Sequence, residues 1–200
     1  MNSVLPSVRP AVRRIPPATA GMTLIEILTV IVIIGLVAAF ALPKLDIDEY
    51  KMNSAVRGIN SSVMYAQREA VSLQHDVRVA FDLPLNRIRI HEDANNDGVI
   101  QPTERVTYAN LEDGVTFNKG AEVALPFGGA VVNFTRLQGT LPVIIFRRDG
   151  TASENGGFYM NPRKSLAAGV TKNARAGELV RSTGRIIWYT YATGAWVRGN

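Results

Sequence analysis

From Met22 to Pro43 apolar side chains fill nearly every position, and the one charged residue is Glu26. As a helix, the 21 residues Met22 to Leu42 would measure about 32 Å, enough for a bilayer core of about 30 Å. A carboxylate inside such a span costs about 2.5 kcal/mol or more, so Glu26 marks a function with a waiting partner. Beyond Pro43 the pattern narrows to a stripe. Met52, Val56, Ile59, Val63, Ala66, Ala70 and Leu73 recur in steps of three and four, the spacing of one helix face. The spacing predicts a long helix from Thr23 to Leu73, bent or loosened near Gly35 and Pro43, or two helices separated at Pro43.

At Val77 the period changes to two. Val77, Val79 and Phe81 alternate with Arg78, Ala80 and Asp82, and Ile88 and Ile90 alternate with Arg87 and Arg89. Further strands are predicted at 106–108, 115–117, 130–134, 143–147, 157–160, 178–181, 185–191 and 195–198. Turn pairs such as Asp113-Gly114, Asp149-Gly150 and Thr183-Gly184 separate them. The stretch 161–177, polar and rich in Gly and Ala, reads as a loop. One long helix followed by many short strands predicts an α+β fold, the helix packed on antiparallel sheet. The expected divisions are a leader over 1–21, an apolar helix over 22–43, its amphipathic continuation over 44–75, and a β-rich domain over 76–200.

Charge gives the apolar helix a direction. Residues 1–21 hold Arg9, Arg13 and Arg14 and no acid, so they should stay on the cytoplasmic side, with the β-rich domain outside. The whole chain carries 22 basic and 17 acidic residues, and without the leader its formal charge falls to about +2. Cysteine is absent, which excludes disulfides, thiolate metal sites and a cysteine nucleophile. A chain of 200 residues is large enough to hold a core without them.

The candidate cleavage junction, Gly21-Met22, precedes the apolar run, where a secretory signal would place it after. This arrangement resembles the class III leader of type IV prepilins and pseudopilins. The resemblance implies cleavage between Gly21 and Met22 by prepilin peptidase, N-methylation of Met22, and an assembly role for Glu26 at the fifth mature position. It also implies helix loosening at Gly35 and Pro43. Met22 stands where the family usually has Phe. IIFRRDGTASENGGFYM (Ile144–Met160) and ELVRSTGRIIW (Glu178–Trp188) resemble the closing strands of GspH/FimT-type minor pseudopilins. This second resemblance implies a minor pseudopilin of a type II secretion system. Such subunits wait in the inner membrane and then join other pseudopilins in a periplasmic filament used for protein export. The alternative is a type IV pilus minor pilin, in some relatives one that captures DNA.

Two further patterns carry chemistry. Asp93, Asn95, Asp97 and Gly98, followed after five residues by Glu104, match the spacing of an EF-hand calcium loop. Asp93, Asn95, Asp97, the Val99 carbonyl and Glu104 would supply hard oxygen ligands for Ca2+. A polar hairpin tip would use the same Asn-Asp-Gly merely for left-handed conformers. The C-terminal third carries Arg163, Lys164, Lys172, Arg175, Arg181, Arg185 and Arg198 against one acid, Glu178, interleaved with Trp188, Tyr189, Tyr191 and Trp196. Arg181, Arg185 and Arg198 with those aromatics are what nucleic-acid binding would use, and equally what a protein contact would use. His75 and His91 stand alone in sequence, and nothing pins a nucleophile. The chain reads as a non-enzyme that requires no cofactor.

Overall fold

The computed structural model describes residues 21–41 and 46–199, which divide into two units, Met1–Leu45 and Asp46–Asn200. In the first, helix α1 covers Leu24–Ala41. The Thr23 carbonyl accepts from the backbone N–H groups of Glu26 and Ile27, and its Oγ1 accepts from that of Glu26 at 3.3 Å, which closes the first turn. The helix is continuous through Gly35, where the resemblance implies loosening. Pro43 and residues 1–20 lie outside the described residues. Among the described residues no helix is long and apolar enough to cross a membrane; the 18 residues of α1 give about 27 Å.

The second unit opens with α2, Ile47–Leu73. Asp46 caps it, accepting from the Glu49 N–H at 3.0 Å, and Asp48 and Glu49 add negative charge where the helix dipole favours it. Lys172 at 2.9 Å and Asn173 at 3.1 Å hold the other Asp46 oxygen. The helix stops where Gln74 turns left-handed. Its buried residues are Met52, Ala55, Ile59, Val63, Ala66 and Ala70. The expected stripe is therefore largely the core face, although Leu73 is exposed and Val56 half-buried.

Two antiparallel five-stranded sheets complete the unit. Strands β1 (Asp76–Asp82), β2 (Arg87–Asp93), β3 (Val106–Asn110), β5 (Leu137–Gln138) and β6 (Leu141–Phe146) form one, ordered β3-β2-β1-β6-β5. Strands β4 (Val115–Phe117), β7 (Gly156–Pro162), β8 (Arg175–Val180), β9 (Arg185–Ala192) and β10 (Ala195–Arg198) form the other, ordered β10-β9-β8-β7-β4. Val77, Val79, Phe81, Ile88 and Ile90 bury the period-two face of the first sheet in a core shared with α2 and with Phe117, Phe158, Met160 and Leu179 of the second. Phe81 seals the junction, its ring 5.5 Å from Phe117 and 5.1 Å from Phe158.

Two expectations need correction. Residues 130–134 form no strand; only Val132 makes a bridge, to Phe158. The Asn133 side chain bonds the N–H and carbonyl of Ala130 and folds the segment into a turn. The stretch 161–177 is not one loop either. Strand β7 continues to Pro162, a short helix α3 occupies Arg163–Ala167, and β8 begins at Arg175.

Candidate functional site

Glu26 lies in the first turn of α1, four residues from Met22 and exposed. From Met22 to Val37 every large apolar side chain of this unit is at least 41% exposed among the described residues, a continuous apolar surface. Gly21 precedes it, with no described residue within 4 Å of an added Cβ.

The candidate calcium loop folds back over the outer face of the first sheet. Period two turns Arg78, His91 and Asp93 away from the core, with Arg78 opposite His91 in the register. His91, Asp93 and Glu104 come together, their ligand atoms within 4.8 Å of one another. Each is already engaged. Asp93 accepts from Arg78 Nε at 2.5 Å and from the N–H groups of Asp97 and Gly98. Glu104 accepts from His91 Nε2 at 2.8 Å and from the N–H groups of Ala94 and Gln101. Asp97 accepts from Val99 N–H, Asn95 and Gln101. The hydrogen bond from His91 heads the causes that hold the Glu104 carboxyl below the usual range; Val99 N–H leads for Asp97.

Gln138 from β5 fixes the histidine. Its Oε1 accepts from Arg89, which can only donate, so its amide nitrogen faces His91 Nδ1 at 2.8 Å and the Gly98 carbonyl at 3.0 Å. Nδ1 is therefore the acceptor, and Nε2 carries the proton toward Glu104. Arg78 occupies the space beside Gly98, where an added Cβ would lie 3.0 Å from its guanidinium carbon. The loop's oxygens thus fit a guanidinium and backbone N–H groups, and an ion would have to displace these. Sequence spacing found Asp93, Asn95, Asp97 and Glu104. Arg78, His91 and Gln138 were not among the expected ligands, because strand register brings them in.

The basic C-terminal third divides in two. Lys172 and Lys164 pair with Asp46 and Asp48 at the start of α2. Arg175 is buried against Asn53, and desolvation pushes its pKa down. Arg181, Arg185 and Arg198 are exposed. The aromatics between them are engaged within the fold. Trp188 meets Phe158 edge-on in the core at 5.6 Å. The Tyr189 hydroxyl donates to Glu178 at 2.7 Å, a bond that raises its pKa. Tyr191 packs on Trp196 at 5.1 Å, and Trp196 packs on Tyr159 and donates to the Val123 carbonyl.

A groove that no sequence motif announces runs between α2 and the β8–β9 turn. Asn60, Val63, Met64, Gln67, Arg68, Gly184, Arg185 and Ile186 line about 450 Å³ of it. Gln67 Nε2 ties its floor, donating to the carbonyls of Gly150 at 2.7 Å and Thr183 at 2.8 Å.

The family described as "Type II transport protein GspH" matches residues 55–180, from α2 through β8. No curated protein sequence matches the chain. The solved minor pseudopilin EpsH from the type 2 secretion system of Vibrio cholerae aligns over 72% of this chain and 99% of that one, at 11% identity and a TM-score of 0.44.

Proposed function

The chain belongs to the GspH family of type II transport proteins, and from that premise we propose that it is a minor pseudopilin, a structural subunit of a secretion filament and not an enzyme. The observation that carries this is α1. It is a helix of exposed apolar side chains with one acid in its first turn, preceding a globular unit of matching family. Such a surface demands lipid or other helices around it. In the proposed sequence, prepilin peptidase cuts between Gly21 and Met22, Met22 is N-methylated, and the subunit waits in the inner membrane with its globular unit in the periplasm. On assembly α1 enters a bundle of neighbouring pseudopilin helices. Glu26 then pairs with an N-terminal ammonium, because an unpaired charge in that setting is costly. The role requires no cofactor; Ca2+ at Asp93, Asn95, Asp97, Val99 and Glu104 would act only by stiffening the 93–104 loop.

The test is the culture-supernatant proteome of a strain lacking the gene, against its complemented parent. Selective loss of folded exoproteins, with accumulation in the periplasm, is the expected result. An unchanged secretome would remove the secretion role.

Exposed Arg181, Arg185 and Arg198 favour a second reading, a type IV pilus minor pilin that binds DNA. The engaged aromatics weigh against it, since base stacking needs free faces. Salt-sensitive DNA binding that weakens in Arg181→Ala, Arg185→Ala and Arg198→Ala would support this reading over the first.

A further inference from the structure

From the groove between α2 and the β8–β9 turn we infer that this surface docks a neighbouring filament subunit, receiving an acidic side chain flanked by an apolar one. The inference rests on the pseudopilin reading and adds to it the face and the chemistry of the contact. Met64, Arg68 and Val71 step by four and three along α2 and so share one helix side. Met64 is 42% and Val71 43% exposed. Val63 and Ile186 line the groove with Met64, and so do Arg68 and Arg185. That lining contains two arginines and no acid. In the adjoining cavity of about 430 Å³ the one acid, Asp149, is engaged with Thr151.

The junction is built to stay in place. Gly184 has φ of +64°, and a Cβ there would lie 2.6 Å from Gln67 Nε2 and 2.8 Å from the Gly150 carbonyl. The turn therefore approaches the helix as closely as glycine allows, and Gln67 bridges both β turns to α2. A rigid, concave surface with an apolar base and a basic margin complements a protrusion of opposite charge. A phosphate backbone would be served by a basic track with free aromatic faces. Here the base is aliphatic, and the nearby aromatics are taken up elsewhere.

The experiment uses the full chain in its own cells, with a photo-crosslinking amino acid in place of Met64 and, separately, of Val37 on α1. The Val37 probe reports filament packing itself. The Met64 probe should capture another pilin-like subunit. Arg68→Glu with Arg185→Glu should reduce that capture about tenfold or more while leaving the Val37 crosslink and the protein level unchanged. Reversing an acid on the captured subunit to Lys should restore it. If Val37 crosslinks but Met64 does not, or if the Met64 crosslink survives the double reversal, the groove is not the contact and the filament reading stands. Absence of both crosslinks removes both readings. Salt-sensitive DNA binding lost in the double reversal, with crosslinking intact, would identify phosphate as the ligand and overturn the inference.

Discussion

Arg78 on β1 and Asp93 at the end of β2 form an ion pair in which the Asp93 side chain is fully buried and that of Arg78 is 12% exposed. The guanidinium also lies against Gly98 at the tip of the loop. A cation from the fold thus sits beside a sequence whose spacing suits a cation from solution. Removing one member of a buried pair strands the other, at about 3–5 kcal/mol. Arg78→Gln should lower the denaturation midpoint accordingly. Added Ca2+ should recover part of the loss in Arg78→Gln and leave the parent chain unchanged. Thermal melts with Ca2+ or chelator measure both.

Acid should weaken the start of α2. The Asp46 pKa falls from 3.8 to about 2, first through the hydrogen bond from Lys172, then through Asn173 and Glu49 N–H. A carboxyl depressed in the folded state contributes stability above its unfolded value, lost as pH falls through the folded one. The contribution from Asp46 is therefore complete above about pH 4 and disappears toward pH 2. Asp46→Asn keeps the cap but not the ion pair, and should flatten the denaturation midpoint against pH over that window. Asp97, Glu104, Asp149 and Glu154, also lowered, have the same sign, so the parent's profile sums Asp46 with these groups and Asp46→Asn removes only its share.

Gly157 on β7 lies opposite Glu178 of β8, beside the Gly177 carbonyl. A Cβ on Gly157 would sit 2.7 Å from the Gly177 carbonyl oxygen and 2.6 Å from the Phe127 ring. Backbone cannot rotate away as a side chain can, so Gly157→Ala should cost about 1–3 kcal/mol or more. A lower melting temperature with an unchanged spectrum of secondary structure checks this.

Glu122 is 2% exposed, and among the described residues neither carboxylate oxygen has a hydrogen-bond partner. Removing an unsatisfied buried acid relieves its desolvation, so Glu122→Leu should raise stability by about 1–3 kcal/mol. A fall in the denaturation midpoint would show that the carboxylate is satisfied in solution.

Glu26→Leu should leave membrane insertion intact and impair filament assembly, followed by fractionation and by crosslinking of filament subunits. Normal filaments would remove the role proposed for Glu26. Gly21→Phe should retain the leader, seen as a slower band on a gel.

The amphipathic second helix and most strands were legible because burial there keeps to a short period: Val77, Val79 and Phe81 alternate, and Ile59, Val63, Ala66 and Ala70 step by three and four. Residues 130–134 misled for a local reason. Val132 and Phe134 alternate into the core as a strand would, but the Asn133 side chain closes a turn on Ala130. The loop was half legible. Asp93 to Glu104 lie within one stretch, whereas Arg78 and Gln138 reach it only through pairing of β1 with β2 and the placement of β5. The groove was not legible, since it depends on Gln67 meeting two turns 83 and 116 residues away in sequence.

Tyr159 is buried on the face of the second sheet away from Phe158, where its hydroxyl accepts from Leu125 N–H and donates to the Gly128 carbonyl, both at 2.7 Å. Its ring also contacts Phe127 and Trp196. The irregular stretch before β5 is thus moored by residues of β7 and β10 more than by a pattern of its own. Outward-facing substitutions in this stretch that spare those anchors should therefore leave its path unchanged. Such changes would re-shape the outer surface of the second unit on an unaltered pair of sheets.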